Sequence, residues 1–443
     1  MKRMIRMIRP EDLPIEFDLR THGYVMRGWG FSREELADAI NSGRMLNLTF
    51  EGMGNYCPWN CDYCYTERDS GLDARKRRLV TELPLARRLE IIREAADLGV
   101  RSMNFIGAGE PTLDPNFWDL VECVAGAGMV PIVFSEASFR LTNRVFAQRL
   151  YDIGATVVIK VNSLWNADYQ NALVAGNQAI RSEYFDRRNQ AIELCLETGF
   201  ANETPTRLGF DTIITKDNYA EIPHLHHYAR DHNIFVVLKN FLHTGRAKEL
   251  RSDAVKYTDQ VKLWEHLAEI DEHHFGIKHA SCFPFGGGTP CNLCSTGVHM
   301  SIKGEVFRCD GEETPLGDLR TESLATIWHR VRGTDQNIEG LCPPRERAFL
   351  IESESILAED LRVLFYKQVR SLKFSVRVDN CLRKAEIRFV GELIQKSEQD
   401  LMQLRNFGRK CLVEVRGKLS SLGMGLDRKC DVDRIGWKHP THP

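Results

Sequence analysis

Three cysteines on one short stretch carry the clearest chemical signature: Cys57-Pro58-Trp59-Asn60-Cys61-Asp62-Tyr63-Cys64, spaced C-x3-C-x2-C. Three thiolates on a short loop can hold three irons of a 4Fe–4S cluster and leave the fourth open to a ligand. The competing reading is a three-cysteine zinc knob, but structural zinc asks for a closed tetrahedral set and the loop lacks the fourth ligand. The stretch follows an apolar β-rich run, Leu46-Asn47-Leu48-Thr49-Phe50. It therefore sits on a loop at the C-terminal end of a strand, where α/β folds gather their ligands. One strand-helix unit later comes Gly107-Ala108-Gly109-Glu110-Pro111. Glycines let a backbone approach a ligand, and a carboxylate can pair with an ammonium. Alone the run reads equally as an ordinary turn. It lacks the last glycine of a dinucleotide fingerprint and the lysine of a phosphate loop.

The cysteine spacing, the aromatic Tyr63 before the third cysteine, and the Gly-Ala-Gly-Glu-Pro run one unit later together resemble the radical S-adenosylmethionine (SAM) superfamily over about residues 45–245. The family's Gly-Gly-Glu-Pro element reads Gly-Ala-Gly-Glu-Pro here. The resemblance implies that Cys57, Cys61 and Cys64 bind a 4Fe–4S cluster and that SAM chelates its open iron. It implies that Glu110 holds the SAM amine, with Tyr63, Gly107, Gly109 and Pro111 around the cofactor. Lys160 and Asn162, at the end of the fourth strand and on one face by period-two alternation, fall where similar enzymes place polar groups on the ribose. A salt-bridged rim is the alternative for that pair. The implied activity is cleavage of SAM by an electron from the reduced cluster, giving a 5′-deoxyadenosyl radical that abstracts a substrate hydrogen. Flavodoxin or ferredoxin is the electron donor such chemistry calls for.

A second cysteine group is Cys291-Asn292-Leu293-Cys294, then Gly304 after nine residues and Cys309 after four more. The apolar residues around Lys303-Gly304-Glu305 fit a hairpin that brings cysteines together. With Pro315-Leu316-Gly317-Asp318-Leu319 downstream, the segment resembles the start of the SPASM or shorter twitch extensions of radical SAM enzymes. The resemblance implies one auxiliary 4Fe–4S cluster on Cys291, Cys294, Cys309 and Cys342, with Cys282 in reserve. A four-cysteine zinc ribbon is the alternative. Residues 373–427 resemble the C-terminal domain of the bacterial RNA polymerase alpha subunit, through Ser375–Leu382, Phe389–Leu393 and Asn406–Leu412. In that domain an arginine enters the A/T-rich minor groove, and Arg377 occupies the position here. Asn380, Gly408, Lys410 and Glu414 match other contact or network positions, while Cys411 stands where a serine is usual. A protein-docking or purely structural bundle is the alternative.

Positioning these groups requires a repeated strand–helix frame, and the sequence has one. Apolar β-rich runs begin near residues 46, 102, 131, 156, 209 and 234. Helix-period segments separate them, for example Leu85–Leu98, Pro115–Ala127, Thr142–Ile153 and Tyr184–Thr198, and several end in glycine (Gly99, Gly128, Gly154, Gly199). Six such units imply a parallel sheet with helices outside, open or closed. With the family resemblance the expected fold is α/β: a partial (βα)6 TIM-like barrel, a Cys-rich auxiliary-cluster segment and a small all-α helix-hairpin-helix domain. The expected divisions are an N-terminal extension (1–44), the core (45–250), the auxiliary segment (251–345), a helical connector (346–370), the helical domain (371–430) and a tail (431–443).

Composition narrows the classes. The 443 residues are 27% charged and 43% hydrophobic, too ordinary for a disordered protein. The sequence holds no run of about eighteen apolar residues for a membrane span. The basic start leads into no apolar stretch, so a cytoplasmic location is expected. Thirteen cysteines, an odd number, argue for thiolates as metal ligands rather than a disulfide framework. Cys123 and Cys195 lie on helices as core residues, and Arg75-Lys76-Arg77-Arg78 reads as a solvated face. Residues 371–430 hold 13 Lys and Arg against 7 Asp and Glu, while the remainder is acidic. A basic end on an acidic body suggests a polyanionic partner, DNA or RNA, with a solvated helical surface as the alternative. Two functions follow: hydrogen abstraction from a peptide or small molecule, with the last domain docking to DNA or protein, or modification of a nucleic acid gripped by that domain. An iron–sulfur transcription regulator is a third class. The sequence offers no further catalytic residue.

Overall fold

The computed structural model describes residues 7–13, 25–54, 56–59, 61, 63–64, 82–174, 178–239, 255, 257–278, 296–309, 312, 314–332, 364–421 and 424–427. Its frame is one nine-stranded sheet. Strands β1 (Asn47–Met53), β2 (Ser102–Gly107), β3 (Val130–Ser135), β4 (Thr156–Lys160), β5 (Leu208–Ile213) and β6 (Phe235–Lys239) lie side by side in sequence order. All five pairings among them are parallel. Sequential parallel order is the winding of a barrel wall, not of a doubly wound open sheet, whose order reverses at a switch point. The six β-rich runs of the sequence are these six strands. Helices α1 (Arg33–Ser42), α2 (Leu85–Asp97), α3 (Phe117–Gly126), α4 (Arg144–Asp152), α5 (Ala167–Ala172), α6 (Gln178–Thr198), α7 (Ile222–Asp231) and α8 (Tyr257–Phe275) connect or flank them. The main core packs Leu48, Phe50, Met103 and Phe105 of the sheet against Ile91, Ile92, Leu120 and Val124 of α2 and α3.

The other face of β3–β6 is closed by the segment that precedes α1. Met26 and Trp29 cluster with Ile132, Phe134, Val158, Phe235 and Val237. A Cβ on Gly209 would lie 2.7 Å from the Met26 sulfur, so the close approach requires glycine there. Met26 and Trp29 thus cover the inner face of the sheet at β3–β6, a role the mixed composition around them does not advertise. Ser32 and Glu35 form a reciprocal capping box at the start of α1.

The alternation does not end with β6. Strand β7 (Gly297–Met300) pairs with β1 in parallel, Asn47 opposite Gly297, so β1 is flanked on both sides. β7 turns at Lys303-Gly304 into β8 (Glu305–Phe307), the hairpin expected from the sequence, and β9 (Gly317–Asp318) follows antiparallel. Helix α9 (Leu324–Val331) folds back on α2: Arg87 donates to the Leu319 and Glu322 carbonyls at 2.9 and 3.1 Å, and the Trp328 indole to the Gly43 carbonyl at 2.8 Å.

The C-terminal helices α10 (Val376–Lys384), α11 (Val390–Leu393), α12 (Glu398–Met402) and α13 (Arg409–Ser421) enclose their own core of Val378, Leu382, Leu393, Leu401, Phe407, Val415 and Leu419. Leu364, Phe365 and Val369 belong to the same cluster. Among the described residues no helix is long and apolar enough to cross a membrane.

Candidate functional site

Cys57, Cys61 and Cys64 stand on the loop leaving the C-terminal end of β1, each partly exposed and none in a disulfide. What fixes the loop is the residue between the first two. Trp59 is 1% exposed, packs edge-on to Tyr184 with centroids 5.1 Å apart and lies 5.9 Å from Phe139. Cys57 and Cys61 rest against this cluster. The buried indole thus anchors the loop between its first two cysteines. Among the described residues, the three thiols included, no three His, Cys, Asp or Glu are grouped closely enough to hold one metal ion.

The glycine-rich turn after β2 meets this loop directly. The Glu110 amide donates to the Tyr56 carbonyl at 2.8 Å. A Cβ on Gly107 would lie 2.3 Å from the Gly109 carbonyl oxygen, so only glycine permits the turn. Beneath it, buried Asp114 accepts from the Gly54 amide and pairs with buried Arg88 at 3.3 Å, while Arg88 donates to the Gly52 carbonyl at 2.7 Å. The end of β1, the turn after β2 and α2 are thereby locked together.

Glu110 itself is buried. Its Oε1 accepts from the Thr112 hydroxyl (2.6 Å), the Ser135 hydroxyl (2.8 Å) and the Thr112 amide (3.2 Å), and its Oε2 from the Glu136 amide (2.9 Å). Burial raises its pKa despite these donors. Glu136, the residue after β3, lies beside it. Its Oε2 accepts from Trp59 Nε1 at 2.8 Å and the Ser138 amide at 3.0 Å, while its buried Oε1 has no hydrogen-bond partner among the described residues. Burial, then the Glu110 charge, pushes Glu136 up to about 8.

Across the sheet ends stand groups of opposite sign. Asp211 on β5 pairs with Lys160 on β4 at 3.4 Å and with Lys239 on β6 at 3.0 Å. Lys160 lies 5.3 Å from the Tyr63 ring centre, which joins this group to the cysteine loop. Burial lowers the Lys160 pKa, with Lys239 adding and Asp211 opposing. Burial acts to raise Asp211, but the two ammoniums outweigh it and hold the carboxyl low. Arg188 of α6 is fully buried; its Nη2 donates to the Ser163 carbonyl at 2.8 Å, while Nε and Nη1 have no partner among the described residues. Burial lowers its pKa to about 10, against the charges of Tyr184, Glu221 and Tyr63.

One end of the sheet therefore brings together Cys57, Cys61, Tyr63, Cys64, Gly107, Gly109, Glu110, Pro111 and Lys160. Asn162 Oδ1 accepts from the Ile213 amide at 3.1 Å, tying β4 to β5, while its buried Nδ2 has no hydrogen-bond partner among the described residues. Sequence reading missed Trp59, Glu136, Arg188, Asp211 and Lys239. Glu136, Asp211 and Lys239 were findable by asking what lies at or beyond each strand's C-terminal end. Arg188, in the run Asp186-Arg187-Arg188, carries no such signal.

Cys309 is buried two residues past β8. Phe307, which ends β8, pairs with His299, level with Thr49 within β1. Cys282, Cys291, Cys294 and Cys342 lie outside the described residues.

In the helical domain, Arg377 is exposed and its Nε donates to the Asn406 carbonyl at 3.3 Å, beside Gly408, which opens α13. Arg405, Arg409 and Lys410 are exposed around the same turn. Asn380 accepts from Arg383 at 2.9 Å, and Glu414 from the Ser375 hydroxyl at 2.7 Å. Cys411 is a core residue.

Residues 52–229 match the radical SAM superfamily, and residues 358–421 match the C-terminal domain of the bacterial RNA polymerase alpha subunit. The RNA polymerase alpha subunit of Desulfovibrio desulfuricans is 47% identical over 74 residues, 17% of this protein and 21% of that one. That of Oceanobacillus iheyensis is 38% identical over 143 residues, 31% and 45% of the two proteins. The match spans less than half the length of these curated relatives. Among solved structures, Streptococcus suis SuiB bound to its precursor peptide SuiA is similar over 70% of each protein (TM-score 0.51, 16% identity). Native anSMEcpe with bound AdoMet is similar over 84% of this protein and 96% of that one (TM-score 0.50, 14% identity). Both show the fold.

Proposed function

We propose that this protein, whose residues 52–229 are a radical SAM domain followed by a domain like the polymerase alpha C-terminal domain, is an enzyme that abstracts hydrogen from a peptide or small-molecule substrate. The observation that carries the reading is the direct bond between the cysteine loop and the glycine-rich turn, Glu110 amide to Tyr56 carbonyl at 2.8 Å. It sets the three thiols beside a buried carboxylate. A 4Fe–4S cluster and SAM supply, when bound, a 5′-deoxyadenosyl radical for that abstraction.

The residues present fit those groups. Cys57, Cys61 and Cys64 offer three thiolates and no fourth, which suits a cluster with one open iron. Glu110, a buried carboxylate, suits the N–H donors of the SAM amine. Arg188, fully buried with two N–H groups unpartnered among the described residues, suits the SAM carboxylate: such a guanidinium is costly to leave unmatched, and a carboxylate accepts it in a fork. Tyr63, with Lys160 against its ring, closes the site over β4, and the Lys160–Asp211–Lys239 bridge lines the interior wall the substrate would meet. The Trp59–Tyr184–Phe139 cluster keeps water from the thiols' anchored side.

An auxiliary cluster on Cys309, Cys291, Cys294 and Cys342 belongs to the same reading, with flavodoxin or ferredoxin as electron donor. A second reading, a nucleic acid as substrate or docking partner, is favoured by the exposed Arg377, Arg405, Arg409 and Lys410 around one turn.

The test is anaerobic incubation of the reconstituted protein with SAM and dithionite. Accumulation of 5′-deoxyadenosine, abolished in Cys61→Ala, supports the reading. A protein with a full complement of iron and sulfide that yields no product with any reductant sinks it.

A further inference from the structure

We propose that Lys239, held by Asp211 and aided by Lys160, receives a carboxylate of the substrate inside the barrel. The inference rests on reading the protein as a SAM enzyme and adds the chemical class of its substrate, a peptide or small molecule that carries a free carboxylate.

Strand alternation places the three groups. Val158, Gly209 and Val237 face the Met26 and Trp29 plug from β4, β5 and β6. Two residues further along the same strands, and so on the same inner face, stand Lys160, Asp211 and Lys239. Lys160 is directly opposite Asp211 in the register, and Lys239 lies two residues past Val237, the partner of Asp211 on β6. Their side chains keep 13, 16 and 19% exposure, whereas the purely structural pair Arg88 and Asp114 keeps 2 and 0%. The trio above the plug therefore remains within reach of a ligand.

The charges do not balance. Lys160 and Lys239 share one carboxylate, at 3.4 and 3.0 Å, and among the described residues neither ammonium has another. Their remaining neighbours are aromatic faces: the Tyr63 ring centre is 5.3 Å from the Lys160 ammonium and that of Phe134 is 4.9 Å from the Lys239 ammonium. An aromatic face steadies an ammonium without cancelling its charge. Lys160 stands against the cysteine loop through Tyr63, where its charge answers the thiolates. Lys239, two strands away on β6, carries the surplus. A cation withdrawn from water with half a partner is costly, and is tolerated where a ligand supplies the missing acceptor. One missing charge identifies the group. A carboxylate brings one; a phosphate monoester brings nearly two and would turn the surplus into a deficit; an amide or hydroxyl leaves it standing. The carboxylate of SAM is already assigned to Arg188, so the acid belongs to the substrate.

The experiment is anaerobic calorimetry on the cluster-loaded full-length protein with S-adenosylhomocysteine bound, so that the carboxylate of the cofactor is already housed. The probes are the N-acetyl derivatives of alanine, leucine and phenylalanine as free acids, and the same three as primary amides. The expected result is that at least one acid binds about tenfold or more tightly than its amide. Lys239→Met, which leaves Lys160 and Asp211 as a balanced pair, should bring that ratio to within twofold of one. Asp211→Asn, which frees both ammoniums, should enlarge it. Acids that bind no better than their amides, or do not bind at all, overturn the inference, as does a preference that survives Lys239→Met. If Lys239→Met does not retain its cluster, Asp211→Asn decides: an enlarged ratio supports the inference, and an unchanged or smaller one overturns it. Failure of the wild type to bind S-adenosylhomocysteine instead overturns the cofactor reading beneath it.

Discussion

The ends of the sheet strands and the basic turn of the helical domain handle charge in opposite ways. Around Glu110, Arg188 and Asp114 the ionic groups are withdrawn from water, and their partners come from β1, the turns after β2 and β3, and α6. Around Arg377, Arg405, Arg409 and Lys410 the charges stand in solvent, and Arg377 is steered by one backbone carbonyl. The first arrangement is costly to build and selective, because each mismatch leaves a desolvated group unpaired. The second counts charges: it responds to any dense array of phosphates and fades as salt rises.

That contrast can be broken in several places, and the effects should fall in order. The largest is at the thiols: Cys61→Ala should lower bound iron by the content of one cluster and abolish 5′-deoxyadenosine formation, read by iron assay and chromatography. Next is the Arg88–Asp114 pair. Asp114→Ala strands a buried guanidinium, which should destabilise the core by about 3–5 kcal/mol. Scanning calorimetry should show the core transition lowered and the helical domain's transition unmoved. A shift of both together would mean that the two cores unfold as one.

Arg188→Met should weaken S-adenosylhomocysteine binding by about 10- to 100-fold, the worth of one charge-assisted hydrogen-bonding group, with little dependence on salt. The smallest effect belongs to the other region: Arg377→Ala should weaken A/T-rich duplex binding a few-fold and reduce the slope of log K against log salt by about one. Absence of any binding at low salt would make the domain a protein-docking module and remove the second half of the contrast.

How far each region was legible follows from the range of its determinants. The six parallel strands showed through because each is a local apolar run bounded by helix-period segments. The cysteines and Glu110 showed through because their meaning lies in short spacings. The hairpin of β7 and β8 showed through as a local turn, but its docking on β1 did not, because that partner lies some 250 residues earlier. The plug of Met26 and Trp29 is likewise defined by the cavity it fills. Glu136 and Arg188 escaped because their significance lies in an oxygen and two N–H groups left unmatched after folding, a property of three-dimensional neighbours. The cysteines proposed for the auxiliary cluster are judged on Cys309 alone, since their companions fall outside the described residues.

The pairing of β1 with β7 also sets a clock. β1 leads straight into the cysteine loop, yet the strand that covers its second edge is made about 250 residues later. At ribosomal speeds of about 5–20 residues per second, that edge goes uncovered for roughly 10 to 50 s during synthesis. An uncovered parallel edge is adhesive. Iron delivered during this interval would meet thiols on a loop whose supporting strand is only half paired. The order of events in the cell, whether cluster insertion precedes or follows completion of the hairpin, is thus written into the sheet's connectivity. A ribosome-stalled polypeptide ending before residue 297 is the species in which to look for it.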